Sequence, residues 1–351
     1  MALKKILVLR FSAMGDVALL LPVIKSLTET YKDIEVTIVT RPKFAPFFYN
    51  LDRVQVFLAD FDNTYTGFFG LRDLFRKLVR RGQYEVVVDL HDHLRTKILG
   101  VFFKIFGIPI IVFDKGRKDK KAFTRKENKV TKPLPHTVER YRLAFEKAGY
   151  PFAIGAPPYL AFSDVIQTAS GWFGYKKSIE NRKWIGIAPF AMHKTKIWPL
   201  ENYPKLIEEV IKRSDVKFFL FGGGEKEIVY FESIRKQFPD RCEVIAGQLK
   251  LRQEIALMKH LDLMLCVDSS NMHLAALSSV PLLSIWGGTH PDAGFAPYGI
   301  GNENIIQISR EELPCRPCSV FGKEKCYRGD YACLTRITVE NVAERIFQRI
   351  S

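Results

Sequence analysis

Between Asp262 and Gly299 the chain reads DLMLCVDSSNMHLAALSSVPLLSIWGGTHPDAGFAPYG, a stretch whose residue types and spacing suit the binding of an anion. The apolar run Leu263-Met264-Leu265-Cys266-Val267 has the length and character of a buried parallel strand. Asp268 ends the run, and Ser269, Ser270 and Asn271 suit the cap of a helix through His273, Leu274, Ala275, Ala276 and Leu277. A second apolar strand, Val280 to Trp286, leads into Gly287-Gly288-Thr289. Strand, polar turn and helix start would bring free backbone N–H groups and a positive dipole end together, where a phosphate is the natural guest. An ordinary βαβ unit whose serines only cap a helix would read the same way over the first loop. The second glycine-bearing strand end beside it favours a binding crevice.

Two other groupings carry reactive side chains. The buried-strand run Glu85 to Leu90 leads into His91-Asp92-His93-Leu94-Arg95-Thr96-Lys97. Polar groups at the carboxyl end of a parallel strand lie where open α/β sheets bind ligands, although structural roles for either histidine read as well. Near the end, Cys315-x-x-Cys318 is followed by Cys326 and Cys333, four thiols within nineteen residues. In a cytoplasmic protein this reads first as a structural zinc site, with free thiols or a disulfide as alternatives.

These groups need elements to hold them. At 351 residues and 47% hydrophobic, the chain is long enough for two globular domains. Lys4 to Arg10 is a first strand, and Phe11-Ser12-Ala13-Met14-Gly15-Asp16 turns it into a helix with Val17, Leu20, Leu21, Ile24 and Leu27 on its apolar face. Alternating strands and helices continue to a helical segment, His136 to Ala148, after which Pro151, Pro157 and Pro158 mark a linker region. A second alternation begins at Trp184 and passes the turn Gly222-Gly223-Gly224-Glu225 on its way to the anion-binding stretch. The expected division is an N-terminal domain 1–158, a linker 159–183, a C-terminal domain 184–337 and an amphipathic helix 338–351. Two doubly wound α/β halves facing a cleft are the expected architecture.

No run reaches the ~18 apolar residues of a membrane span, and MALKKILVLR lacks a signal-peptide pattern, so a cytoplasmic location is expected. Charge is unevenly spread. Residues 1–150 hold 28 Lys/Arg against 16 Asp/Glu, and the remainder 25 against 22. A basic first half suits a polyanion, and the excess is densest in KGRKDKKAFTRKENKVTK, Lys115 to Lys132, which reads either as a solvated loop or as part of that surface. The first strand is not followed by Gly-x-Gly-x-x-Gly, and no Gly-x-x-x-x-Gly-Lys-Ser/Thr loop occurs, which weakens dehydrogenase and ATPase readings.

Taken together, LVLRFSAMGDVALLLPVIKSL, APFAMHKTKIWPLENY, the Gly-Gly-Gly-Glu turn and CVDSSNMHLAALSSVPLLSIWGGTHPDAGFAPYG resemble glycosyltransferase family 9, the ADP-heptose:lipopolysaccharide heptosyltransferases. The pieces stand in family order across nearly the whole chain. The resemblance implies a GT-B fold, with the acceptor bound by the N-terminal domain and the donor by the C-terminal one. It also implies inverting transfer of a heptose from ADP-L-glycero-β-D-manno-heptose to lipid-linked inner-core sugar at the cytoplasmic face of the inner membrane. By the same resemblance Asp16 is the general base, Lys196 meets the donor diphosphate, Glu225 lies near the donor ribose and Asp268 contacts the donor sugar. Ser269 and Ser270 form the phosphate turn, with Gly288 and Thr289 in the adjoining loop and His273 in reach of the same phosphates. His91, Arg95 and Lys97 are expected on the acceptor side.

The chemistry agrees with these roles. Inverting transfer needs a base for the acceptor hydroxyl, with a helix cap as the plainer role for Asp16. A lysine and backbone N–H groups can stabilise the departing diphosphate. No Asp-x-Asp motif occurs in residues 184–351, so no cofactor is expected to be required for catalysis. Ala191-Met192, where some heptosyltransferases have paired threonines, and Asn271-Met272 depart from the family pattern and bear on donor identity. Another GT-B sugar-nucleotide enzyme, an epimerase included, is the nearest alternative. A non-catalytic protein binding anionic lipid or another polyanion is the alternative outside enzymes; no nucleic-acid partner is expected.

Overall fold

Apolar runs bounded by polar turns alternate with amphipathic segments along this chain, and they assemble into two parallel sheets. The computed structural model describes residues 3–160, 174 and 176–351. The first sheet contains β1 (Lys4–Leu9), β2 (Ile34–Thr40), β3 (Val54–Leu58), β4 (Tyr84–Asp89) and β5 (Ile110–Val112), in the order β3-β2-β1-β4-β5. The second contains β6 (Lys183–Ala188), β7 (Val216–Leu220), β8 (Cys242–Val244), β9 (Leu263–Val267), β10 (Leu282–Ile285) and β11 (Ile305–Ile306), in the order β11-β10-β9-β6-β7-β8. Every pairing in both is parallel. The central strands are buried on both faces, as their continuous apolar sequence requires. In each sheet the winding reverses once, between β1 and β4 in the first and between β6 and β9 in the second. Such reversal points are where open α/β sheets leave a crevice for ligands.

Twelve helices are described: α1 (Met14–Ala18), α2 (Leu21–Thr30), α3 (Gly67–Arg81), α4 (Leu94–Ile105), α5 (Arg117–Phe123), α6 (Thr137–Lys147), α7 (Asn202–Arg213), α8 (Glu225–Gln237), α9 (Leu251–Met258), α10 (Ser270–Leu277), α11 (Ala332–Thr335) and α12 (Val339–Ile350). The helix expected from Asp16 onward is broken at Leu19-Leu20. Pro22 lies at the start of α2. It has no N–H to offer the Ala18 carbonyl, so the first helix cannot run through. The apolar face survives the break, with Val17, Leu20, Leu21, Ile24 and Leu27 all buried.

The chain divides into two compact units, one of Met1–Lys115 with Thr137–Phe162 and one of Gly116–His136 with Ser163–Ser351. The expected boundary at 158 assigned Gly116–His136 to the first domain; its bonds place it in the second unit. Lys129 Nζ donates to the Pro314 and Cys315 carbonyls, Arg310 Nη1 to the Thr131 carbonyl, and Leu134 N to the Asp292 carbonyl. Lys120 sits 4.4 Å from the Phe295 ring centroid and is nearly buried. Beyond Lys115, the densest basic run is therefore neither a solvated loop throughout nor a part of the first unit. Most of the linker expected at 159–183 lies outside the described residues. The C-terminal amphipathic helix α12 packs its Val342, Ala343, Ile346 and Ile350 side into the core of the second unit, against α7.

Candidate functional site

In the second unit, Lys196 follows β6 and Asp268 follows β9, the two strands that flank the reversal point. A 3-10 turn at Lys194–Lys196 aims the lysine, whose Nζ stands 2.8 Å from Asp268 Oδ2. Thr289, in the loop after β10, donates its hydroxyl to the same carboxylate oxygen at 2.7 Å. Asp268 and Thr289 are buried, and the Lys196 side chain is largely so. Three residues singled out from separate stretches of sequence thus meet at one carboxylate.

Ser269 caps α10 with extended backbone but makes no side-chain cap bond. Its hydroxyl is buried and has no hydrogen-bond partner among the described residues. The first-turn N–H groups of α10, Ser270 among them, have no acceptor within the helix by construction. A buried, unbonded hydroxyl beside a helix N-terminus and a lysine is an arrangement suited to phosphate oxygens. His273 lies one turn further on and is buried.

The Gly287-Gly288-Thr289 loop is held from two sides. Gly288 N donates to Thr195 O at 2.9 Å, and Thr195 Oγ1 donates to Gly322 O at 2.7 Å. A Cβ at Gly287 would stand 2.5 Å from Thr195 O, so only glycine lets the two backbones approach. From the other side, Cys318 N and Ser319 N both donate to Gly288 O. The Arg316 guanidinium, 1% exposed, donates to the carbonyls of Trp286, Gly287, Thr289 and Ile308 and to Gln307 Oε1. Burial lowers the Arg316 pKa to about 10, which leaves it charged at neutral pH. Arg316 and Thr195 were not legible as site residues; a lone basic side chain between two cysteines reads as solvated until its carbonyl partners are seen.

At the Gly222–Gly224 turn, Glu225 is the first residue of α8 and is exposed. The carboxylate that folds back on the turn is instead Glu227, whose Oε2 accepts from Gly223 N at 2.8 Å, and burial raises its pKa.

In the first unit, Asp16 lies in α1, just beyond β1, the strand beside the reversal point. Arg10, buried at the end of β1, pairs with it at 2.5 Å from Nη2 to Oδ2, and Ala13 N contacts the same oxygen at 3.4 Å. Oδ1 has no partner among the described residues. Burial opposes the Arg10 charge, but Asp16, Tyr141 and Asp89 outweigh it and raise the Arg10 pKa. Arg10 also donates to the Leu90 carbonyl, which ties the turn after β1 to the turn after β4. His91 follows in that turn; burial, then Arg10 and His93, lower its pKa to about 3 and keep it neutral. Its Nδ1 is buried without a hydrogen-bond partner among the described residues. Arg95 stacks over the Phe61 ring at 5.4 Å, and Lys97 lies 3.7 Å from Asp92. Asp16 and His91 therefore belong to one edge, while Arg95 and Lys97 are engaged with neighbours on the helix side.

The four C-terminal thiols, expected from their spacing as a structural zinc site, lie in one neighbourhood, with Cys315, Cys318 and Cys326 all acting on the Cys333 thiol. Among the described residues, no three His, Cys, Asp or Glu side chains are grouped to hold a metal ion. Cys333 is buried in the core with its pKa pushed up to about 12 by burial, and Cys318 Sγ points at Gly288 O, 3.6 Å away. All six cysteines are free.

Comparison with known proteins adds to this geometry. The family model of glycosyltransferase family 9 (heptosyltransferase) matches residues 72–327. A lipooligosaccharide heptosyltransferase 2 from Haemophilus influenzae is 30% identical over 249 residues, which are 66% of this chain and 68% of that protein. A solved glycosyl transferase of family 9 from Veillonella parvula superposes with a TM-score of 0.76 at 18% identity, covering 100% of this chain and 98% of that one. The Escherichia coli heptosyltransferase WaaC, solved with ADP-2-deoxy-2-fluoro heptose, gives a TM-score of 0.67 at 19% identity over 98% of this chain and 99% of that one. The fold is thus of the GT-B class.

Proposed function

Because the chain belongs to glycosyltransferase family 9, we propose that this glycosyltransferase moves a heptose from ADP-heptose to the inner core of lipopolysaccharide, with inversion at the anomeric carbon. One observation carries the donor half of the reading: Lys196, Asp268 and Thr289 meet beside the open N-terminus of α10 at the reversal point of the second sheet. A diphosphate placed there receives backbone N–H groups and the Ser269 hydroxyl, and Lys196 offsets the charge that grows as ADP departs. Asp268 and Thr289 face the transferred sugar, and Glu225 takes the ribose at the neighbouring turn.

Asp16 acts as the base. Its Oδ2 is occupied by Arg10, so Oδ1 takes the proton of the acceptor hydroxyl. The acceptor oxygen, so deprotonated, forms the new bond to the anomeric carbon as the bond to the diphosphate breaks on the opposite face, and ADP leaves. His91, Arg95 and Lys97 line the acceptor side, with a lipid-linked anionic saccharide drawn from the cytoplasmic face of the inner membrane. Incubation with ADP-heptose and a Kdo-bearing lipid acceptor should add one heptose by mass spectrometry, with the anomeric configuration opposite to the donor's by NMR. Transfer from another nucleotide sugar in preference to ADP-heptose, or retention of configuration, would overturn this reading.

A further inference from the structure

Helices α3 and α4 of the first unit pack against one another and leave large apolar side chains in water. Phe68 is 55% exposed, Phe69 76%, Leu94 68%, Val101 55%, Ile105 75% and Phe106 62%. Single exposed hydrophobes are ordinary on any surface; a connected set of them marks a place of contact. These are connected. The Phe69 ring centroid lies 5.9 Å from that of Phe68, Phe68 lies 5.6 Å from Phe102, Phe102 lies 5.5 Å from Phe75, and Phe75 lies 4.9 Å from Phe106. Along α4, Leu94, Ile98, Val101 and Ile105 follow one another at helical spacing and form a single stripe.

The rim of this patch has one sign. Helix α3 carries Arg72, Arg76, Lys77, Arg80 and Arg81 against Asp73 alone, and Asp73 is already paired with Lys77 at 2.9 Å. Helix α4 carries Arg95, Lys97 and Lys104 and no acidic residue. Arg72 and Arg76 stand one and two turns beyond Phe68 and are exposed. We propose that the α3–α4 face is a docking surface for an anionic lipid bilayer, the aromatic and aliphatic side chains entering the acyl boundary while the arginines and lysines meet the headgroups. Aromatic side chains and long basic ones side by side are the anchors of a helix pair lying in a membrane interface. A second copy of the chain is a poorer occupant, because a self-complementary contact would set one basic rim against another. The proposal deepens the reading of a lipid-linked acceptor, and it fixes which surface approaches the bilayer.

The test uses the full chain and vesicles of phosphatidylcholine with or without phosphatidylglycerol. Wild type should sediment with the anionic vesicles and far less with the neutral ones, and added salt should weaken the association. Phe69→Ser with Ile105→Ser should lower the bound fraction on the order of tenfold, since the buried apolar area sets the affinity. Arg72→Gln with Arg76→Gln should lower it and flatten the salt response. All four positions are exposed, so melting temperature and turnover on a water-soluble acceptor fragment should match wild type. Equal sedimentation of wild type and F69S/I105S would overturn the proposal. So would a wild type that ignores vesicles but self-associates in sedimentation velocity and is dispersed by F69S/I105S, which would make the face a protein interface. Failure of transfer with vesicle binding intact would count against the proposed reaction and leave the docking face standing.

Discussion

Lys196 Nζ and Asp268 Oδ2 stand 2.8 Å apart, each on the loop after one of the two strands that flank the reversal of winding in the second sheet. A ligand entering this crevice meets a cation already oriented by a carboxylate, so it need not order a free side chain.

Replacing Lys196 with alanine tests that arrangement. The variant should bind ADP more weakly by calorimetry, and kcat/KM should fall by about 10²–10³, as expected when charge stabilisation of the leaving group is lost. It also leaves a buried Asp268 carboxylate with Thr289 as its remaining bond, at a cost on the order of 1–3 kcal/mol of stability. Lys196→Ala with Asp268→Ala should recover part of that stability and none of the activity. Unchanged ADP affinity in the single variant would remove Lys196 from the donor site.

For Asp16, the discriminating substitution is asparagine. It keeps the size of the side chain and an acceptor for Arg10, so ADP affinity should stay near wild type, while the buried Arg10 loses its charged partner and stability should fall by about 1–3 kcal/mol. Transfer should fall by a factor on the order of 10²–10⁴, the range of general-base loss. A turnover close to wild type with the true acceptor would reduce Asp16 to a helix-terminal cap.

Arg316→Met keeps the length of the buried side chain and removes its donors from the carbonyls of Trp286, Gly287, Thr289 and Ile308. Several buried acceptors lose a charged partner at once, and stability should drop by about 3 kcal/mol or more. The Gly287–Thr289 loop loses its brace, so KM for the donor should rise more than kcat falls. Arg316→Lys, which restores one donor, should recover stability only in part.

A pH dependence follows from the buried histidines. Burial is the first cause in each case, and it lowers His91 to about 3, His290 to about 3 and His136 to about 4. Below about pH 6.5 the unfolded chain takes up protons that the folded chain refuses. This contribution to stability is therefore complete above that pH and is lost as the pH falls from about 6.5 toward the folded values. The melting temperature should decline from about pH 6.5 downward. His290→Asn, which keeps a side-chain acceptor, should make the decline shallower. An identical slope in that variant would assign the acid sensitivity to other groups.

The cluster of Lys196, Asp268 and Thr289 could be read in the sequence because its signals are local. An apolar run, a capping serine and a Gly-Gly-Thr loop each constrain their own few residues, and Lys196 belonged to a contiguous motif. The brace around that loop could not be read. Arg316 gains its role from carbonyls at positions 286–289 and 308, distances in sequence over which side-chain chemistry carries no periodic signal. The break at Leu19-Leu20 was written in Pro22, but the unbroken apolar face outweighed it. The basic run to Lys132 was read by its charge, whereas its placement is decided by Phe123, which lies beside His290, and by Lys129.

Gly116–His136 belongs to the second unit although the chain returns to the first unit at Thr137. During synthesis this segment leaves the ribosome well before its partners Asp292, Arg310 and Pro314 exist. The first sheet, complete by Val112, can assemble early, while the 21 residues that follow must wait for nearly the whole remaining chain to be translated. For the same reason, a gene fragment beginning at the linker would encode a second unit lacking a piece of itself, with Phe295 deprived of Lys120 and His290 of Phe123. Domain exchange with relatives would have to carry this segment along with the C-terminal half.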